Sequence, residues 1–188
     1  MSNIAMQGGA TGTGTVTLLA PVTNTNRTIN LPDSNGTVLT TATAGVPVNG
    51  PAFSAYSTAT VSVAASTFTK ITYDTEDFDT NSNFASSRFT PTIAGYYQLN
   101  ATLSFGANAA VGAGMVTFYK NGARFLDGQF IVLNATITQY LSNAGLIYFN
   151  GSTDYVEVYT IQNTVSTMSI GSDAATRKFT GALVRSAT

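Results

Sequence analysis

In the stretch Arg88-Phe89-Thr90-Pro91-Thr92-Ile93-Ala94-Gly95-Tyr96-Tyr97-Gln98-Leu99-Asn100-Ala101-Thr102-Leu103-Ser104-Phe105, apolar and polar residues alternate from Tyr97 onward. Tyr97, Leu99, Ala101, Leu103 and Phe105 fall on one side, and Gln98, Asn100, Thr102 and Ser104 on the other. A period of two is the mark of a β-strand with one buried face. Pro91, with φ fixed, and Gly95, free to take φ > 0, predict a tight connection between a short strand through Phe89 and this long one.

Strands of the same kind recur on both sides. Upstream are Ala52 to Tyr56, a Val/Thr run from Thr60 to Val63, and a weaker alternation from Thr67 to Tyr73. Downstream, a Gly/Ala loop to Gly114 precedes Met115 to Lys120 and an Asn121-Gly122 turn. Further strands are predicted at 129–133, 136–141, 145–149, 155–161 and 179–184, with turn signals at Asn150-Gly151-Ser152 and Gly171-Ser172-Asp173. No helical period appears. Short strands closely spaced between turn signals predict an antiparallel sandwich or jelly roll.

Composition agrees. Only 9% of the 188 residues are charged, against roughly 25% in an average soluble protein. Thr, Ser, Asn and Gly take the vacant polar positions, which disfavours helix and favours pleated sheet. A net charge of −1 argues against a nucleic-acid partner, since phosphate backbones require clustered Lys and Arg. No run is long and apolar enough for a membrane span, and the N-terminus lacks the features of a secretion signal. The expectation is cytoplasmic synthesis, which leaves open a final place in an assembled particle.

Residues 1–50 differ from the rest. They hold no aromatic residue and two charged ones, Arg27 and Asp33, and are rich in Gly, Thr and Asn. Two short apolar pieces, Thr15 to Ala20 and Arg27 to Leu31, precede an Asn35-Gly36 hairpin signal. Such a segment buries too little apolar surface to order itself alone. It is expected to be an extended arm with short strands, ordered against its trimer mates or a docking surface. Its anchoring residues would be Ile4, Val16, Leu18, Ile29, Leu31, Val38 and Leu39. Val46-Pro47-Val48-Asn49-Gly50-Pro51 ends the arm, because two prolines and a glycine sustain neither a helix nor a central strand. Residues 51–188 form the head.

Several landmarks of the head resemble a known family. Ala52-Phe53-Ser54-Ala55, Phe89-Thr90-Pro91 with Ala94-Gly95-Tyr96-Tyr97, Lys120-Asn121-Gly122, and Phe179-Thr180-Gly181-Ala182-Leu183 are similar to those of the complement-component-1q globular head, itself similar in fold to tumour necrosis factor. The resemblance covers residues 51 to 185. It implies a ten-stranded antiparallel jelly roll that packs as a homotrimer. The chain departs from the pattern in its Ala/Gly-rich segment 108–114 and in its lack of cysteine. Phe53, Tyr97, Phe105, Phe118, Tyr155 and Phe179 would fill the core or the three-fold seam.

The arm has a looser resemblance of its own. Gly14-Thr15-Val16-Thr17-Leu18, Ala20-Pro21, Thr28-Ile29-Asn30-Leu31-Pro32-Asp33 and Gly36-Thr37-Val38-Leu39 resemble the leader of many bacteriophage fibre and other virion proteins. Together the two resemblances imply a structural protein of the virion surface, made in the bacterial cytoplasm. In one reading it decorates the head and is held by the major capsid protein. In the other it is a receptor-binding fibre tip joined to a tail or baseplate protein and gripping a host-surface glycan or protein through segments 74–83 and 107–114.

Little chemistry is expected. The chain has no His and no Cys, which removes Ser-His-Asp and Cys-His nucleophilic sites, disulfides and thiolate metal sites. Asp74, Glu76, Asp77 and Asp79 are the carboxylates close enough in sequence to consider for glycoside hydrolysis or calcium. They are expected on an exposed loop, where neighbouring carboxylates repel, and their spacing lacks the glycine and distal glutamate of an EF-hand. No cofactor is implied. Asp154, Glu157, Arg177, Lys178 and Arg185 are expected in surface pairs or at trimer edges.

Overall fold

The structure is a computed structural model that describes residues 50–107, 112–133 and 136–187. The anchoring residues named above therefore lie outside the described residues. The strands are β1 (Ala52–Tyr56), β2 (Val61–Val63), β3 (Thr69–Lys70), β4 (Thr75–Asp79), β5 (Phe84–Ala85), β6 (Arg88–Phe89) and β7 (Gly95–Phe105). They continue with β8 (Gly112–Lys120), β9 (Ala123–Asp127), β10 (Ile131–Leu133), β11 (Gln139–Phe149), β12 (Val156–Gln162), β13 (Met168–Ile170) and β14 (Lys178–Ser186). The described residues contain no helix, and the paired strands are antiparallel throughout.

Two sheets face each other as a jelly roll. The first runs β2-β13-β7-β14-β1-β4, with β11 also on β7; the second runs β10-β8-β12-β6-β5, with β3 on β12 and β9 on β8. The long strand β7 behaves as its alternation predicts: Tyr97, Leu99, Ala101, Leu103 and Phe105 are all fully buried. Phe53 stacks on Phe89 at 4.3 Å and on Phe84 at 5.0 Å, and meets Phe179 edge-on at 4.8 Å. Offset and edge-on aromatic contacts of this kind add about 0.5–1.5 kcal/mol each beyond area burial. The residues of the turn Asn121-Gly122 hold φ of 54° and 79°, closing a two-residue hairpin in which Lys120 pairs with Ala123. Positive φ at both central positions matches the twist of the strands.

The structure corrects several sequence expectations. Gly95 does not take a positive φ; it opens β7, and a Cβ there would run into the carbonyl oxygen of Arg185. Close approach of two backbones, not turn geometry, requires the glycine. Residues 136–141 and 145–149 do not form separate strands, since β11 runs unbroken from Gln139 to Phe149 against the full length of β7. The Gly/Ala loop ends earlier than expected, because β8 begins at Gly112 and pairs with β10 there. Glu76, Asp77 and Asp79 lie not on a loop but in strand β4, paired with β1, and Asp74 immediately precedes it.

Candidate interaction surface

The acidic residues prove to be structural in their contacts. Asp74 accepts hydrogen bonds from the Thr58 amide at 2.9 Å and the Thr58 hydroxyl at 3.0 Å, and the amide bond above all holds its carboxyl below the usual aspartate range. Asp77 accepts from Ser54 Oγ and from Lys178 Nζ, both at 2.7 Å; Lys178 is the main cause of its lowered pKa. Asp79 accepts from the Phe84 amide at 2.7 Å, tying the end of β4 to β5. Glu76 pairs in register with Ala55. No group of three or more acidic side chains placed to hold a metal occurs among the described residues.

The basic residues divide. Lys178 is a surface partner as expected, but Arg177 is fully buried, its guanidinium donating to the carbonyls of Gly171 at 3.0 Å and Thr72 at 2.9 Å and to Ser57 Oγ. Burial lowers its pKa. Glu157 is also buried, at 4% exposure, beneath Lys70 and Arg88, each 2.8 Å from its Oε1. Desolvation alone would raise the Glu157 pKa, yet the two cations hold it below the ordinary value. Asp154 is bridged to Lys120 at 2.9 Å, and Arg185 sits at the end of β14 opposite Tyr96.

Of the six aromatics singled out in the sequence, Phe53, Tyr97, Phe105, Phe118 and Phe179 lie in the core of a single chain. Tyr155 does not: it is half-buried before β12, with the Arg88 guanidinium 3.8 Å from its ring centre. The aromatics that do reach the surface are different ones. Tyr96 and Tyr148 face each other across β7 and β11, ring centres 5.4 Å apart, on the side of the first sheet that points away from the core. Leu146 and Val184 lie beside them, and Tyr96, Leu146 and Val184 with Arg185, Ser186 and Ala187 line a concavity of about 520 Å³. Val184 is there because a bulge between Leu183 and Arg185 makes it an extra, unpaired residue.

This face is unusual in its chemistry. Neither β7 nor β11, eleven residues each and paired along their whole length, contains a charged residue. Tyr140, Leu146 and Tyr148 are exposed on β11 and Tyr96 on β7, between exposed or half-buried Gln98, Asn100, Ser142 and Ala144. On the same outward face, toward β1 and β4, exposed Phe78 borders a shallow apolar hollow with Gln98, Thr180 and Ala182. Depletion of charge together with exposed Tyr and Leu characterises the centre of protein interfaces. The sequence reading missed these residues because they occupy the polar phase of the alternation, where single apolar residues carry no signal until the strands are paired.

No family model matches the chain, and no curated protein matches it in sequence. Solved structures do match. The globular domain of zebrafish complement 1qA is 15% identical with a TM-score of 0.52, covering 73% of this chain and 99% of that one. Murine APRIL, crystallised at pH 5.0, is 10% identical with a TM-score of 0.52, covering 72% of this chain and 99% of that one. An Eiger TNF from S. frugiperda is 7% identical with a TM-score of 0.51, covering 74% and 96%. At such identities the likeness concerns architecture. The head has the complement-1q and tumour-necrosis-factor type of jelly-roll fold.

Proposed function

We propose that this chain is a non-enzymatic structural protein of a bacteriophage virion surface, a homotrimer whose heads join through the outward face of β7 and β11 and whose arms fasten it to the particle, as a capsid decoration protein. The uncharged 22-residue pair of strands, with Tyr96, Leu146 and Tyr148 exposed on it and Val184 of β14 beside it, carries the trimer reading. The fold supports it, since the resemblance noted in the sequence implies three-fold packing. The leader-like motifs from Gly14 to Leu39 support the virion reading. Three arms acting together would bind far more tightly than one, because each later contact is intramolecular. Binding the mature lattice better than its precursor would then stabilise the shell.

Two measurements test this. The full chain is expected to sediment as a trimer. Leu146→Glu tests the face itself, because Leu146 is 57% exposed in the single chain. A carboxylate there costs a monomer almost nothing but must be desolvated in a closed trimer, at several kcal/mol per copy. A variant that stays trimeric overturns the proposed interface. Deleting residues 1–50 is expected to leave a trimeric head that no longer enters particles. High copy number per particle supports head decoration, and low copy number a tail location.

A further inference from the structure

The second sheet, on the layer opposite β7 and β11, carries a separate feature. The β5–β6 hairpin and its neighbours enclose a groove of about 520 Å³ lined by Lys70, Ser82, Asn83, Ser86, Arg88 and Thr90. That size lies within the roughly 300–1,000 Å³ of small-molecule sites. We infer that this groove binds a sugar bearing a negative charge. The inference does not rest on the proposed function and holds for a capsid ornament as for a fibre tip.

Charge is the first argument. Every other ion pair among the described residues joins one cation to one carboxylate, as Lys120 to Asp154, Arg124 to Asp127 and Lys178 to Asp77. Here Lys70 and Arg88 share Glu157, which leaves one positive charge uncompensated at the groove. Both cations are also held in place. Lys70 Nζ donates to the Ser86 carbonyl at 3.0 Å, while Arg88 Nε donates to Glu157 at 2.9 Å and its guanidinium lies over the Tyr155 ring. A cation fixed before the ligand arrives loses little entropy on binding.

The second argument concerns hydroxyls. Ser82, Ser86 and Thr90 line the groove, and their hydroxyls bond to no other group among the described residues. The φ of 52° at Ser86 belongs to the two-residue turn between β5 and β6, but Ser82 also holds φ at 52°, a left-handed conformation that residues with a Cβ seldom adopt. Backbone held in such regions concentrates at binding sites, where it aims particular groups. Asn83 is buried and rigid, its amide oxygen accepting from the Thr92 amide at 3.1 Å and its nitrogen donating to the Asn81 carbonyl at 3.0 Å. Three hydroxyls with free bonding capacity beside one excess positive charge match a polyhydroxylated anion better than a hydrophobic or a neutral ligand.

The test uses backbone-amide spectra of the full chain titrated at millimolar concentration with glucuronate, glucose 6-phosphate, glucose, acetate and inorganic phosphate. Glucuronate or glucose 6-phosphate should shift the amides of residues 82–92 and saturate at concentrations where the other three do not. Whichever saturates first identifies a carboxylate or a phosphate as the preferred charge. Lys70→Gln should weaken binding by roughly two- to fivefold, while Glu157→Gln should strengthen it by a similar factor, since the amide oxygen still accepts from both cations but no longer neutralises one of them. General damage to the fold cannot produce that opposite pair of signs. No shift at 82–92, shifts equal to those from acetate or inorganic phosphate, or weaker binding by Glu157→Gln would each overturn the inference.

Discussion

At the scale of single residues, Ser87 stands in for a missing strand pairing. It sits with Ser86 in the two-residue turn between β5 and β6, at φ of 58°, and its hydroxyl accepts from the Tyr73 amide at 2.8 Å and donates to the Tyr73 carbonyl at 3.2 Å. A side chain thereby satisfies both backbone groups of a buried residue that belongs to no strand. Ser87→Ala is expected to lower stability by about 1–3 kcal/mol, measured by denaturant unfolding, because both Tyr73 groups lose their partner. Glu157 contributes to the response to acid. Its folded pKa is depressed, so its contribution is fully present above the ordinary glutamate value of 4.5 and is lost as pH falls through the lower, folded value. Unfolding midpoints of the wild type should therefore drop below about pH 4.5, and Glu157→Gln should flatten that part of the curve. Arg177 shows what composition hides: a charged residue that reads as surface is the bulkiest fully buried side chain, bonded to two carbonyls and a hydroxyl.

At the scale of elements, strands with a regular apolar phase were legible and those built by tertiary contact were not. β7 could be read because five successive inward positions are apolar. β11 was legible only as two pieces, because Asn143 and Gly145 interrupt its inward phase. Asn143 is nonetheless buried, donating to the Leu126 carbonyl at 2.8 Å, and the Leu126 side chain occupies the space over Gly145. A strand thus filled from β9 has no local signature. β4 escaped notice for another reason: Thr75-Glu76-Asp77-Phe78-Asp79 lies at the edge of its sheet, where carboxylates cap turns and meet Lys178 instead of facing the core. The interaction face was hidden too, since Tyr96, the Leu146 and Tyr148 pair and Val184 lie far apart in sequence. The Asn121-Gly122 turn, by contrast, was visible from two letters. Gly122→Ala must place a Cβ at φ of 79°, 3.3 Å from the Tyr155 hydroxyl, and is expected to cost about 1–2 kcal/mol in thermal or denaturant unfolding.

At the scale of the whole molecule, the two sheets have divided their tasks. The first presents on β7 and β11 an outer surface without charged residues, suited to copies of itself, and the second carries Lys70, Arg88 and Glu157 beside its polar groove. On the proposed reading, the apparent stability of the head rises with protein concentration, because closure of the trimer acts as ligand binding does. A thermal midpoint that increases on concentrating the wild type, and not on concentrating Leu146→Glu, is the expected outcome. The outer edge of β11 has one more implication. Among the described residues this strand pairs only with β7, and it has no lysine, proline or bulge along its eleven positions. Those are the devices by which soluble sheets discourage strangers from adding a strand. Heads left single by a broken seam should template one another into insoluble fibres.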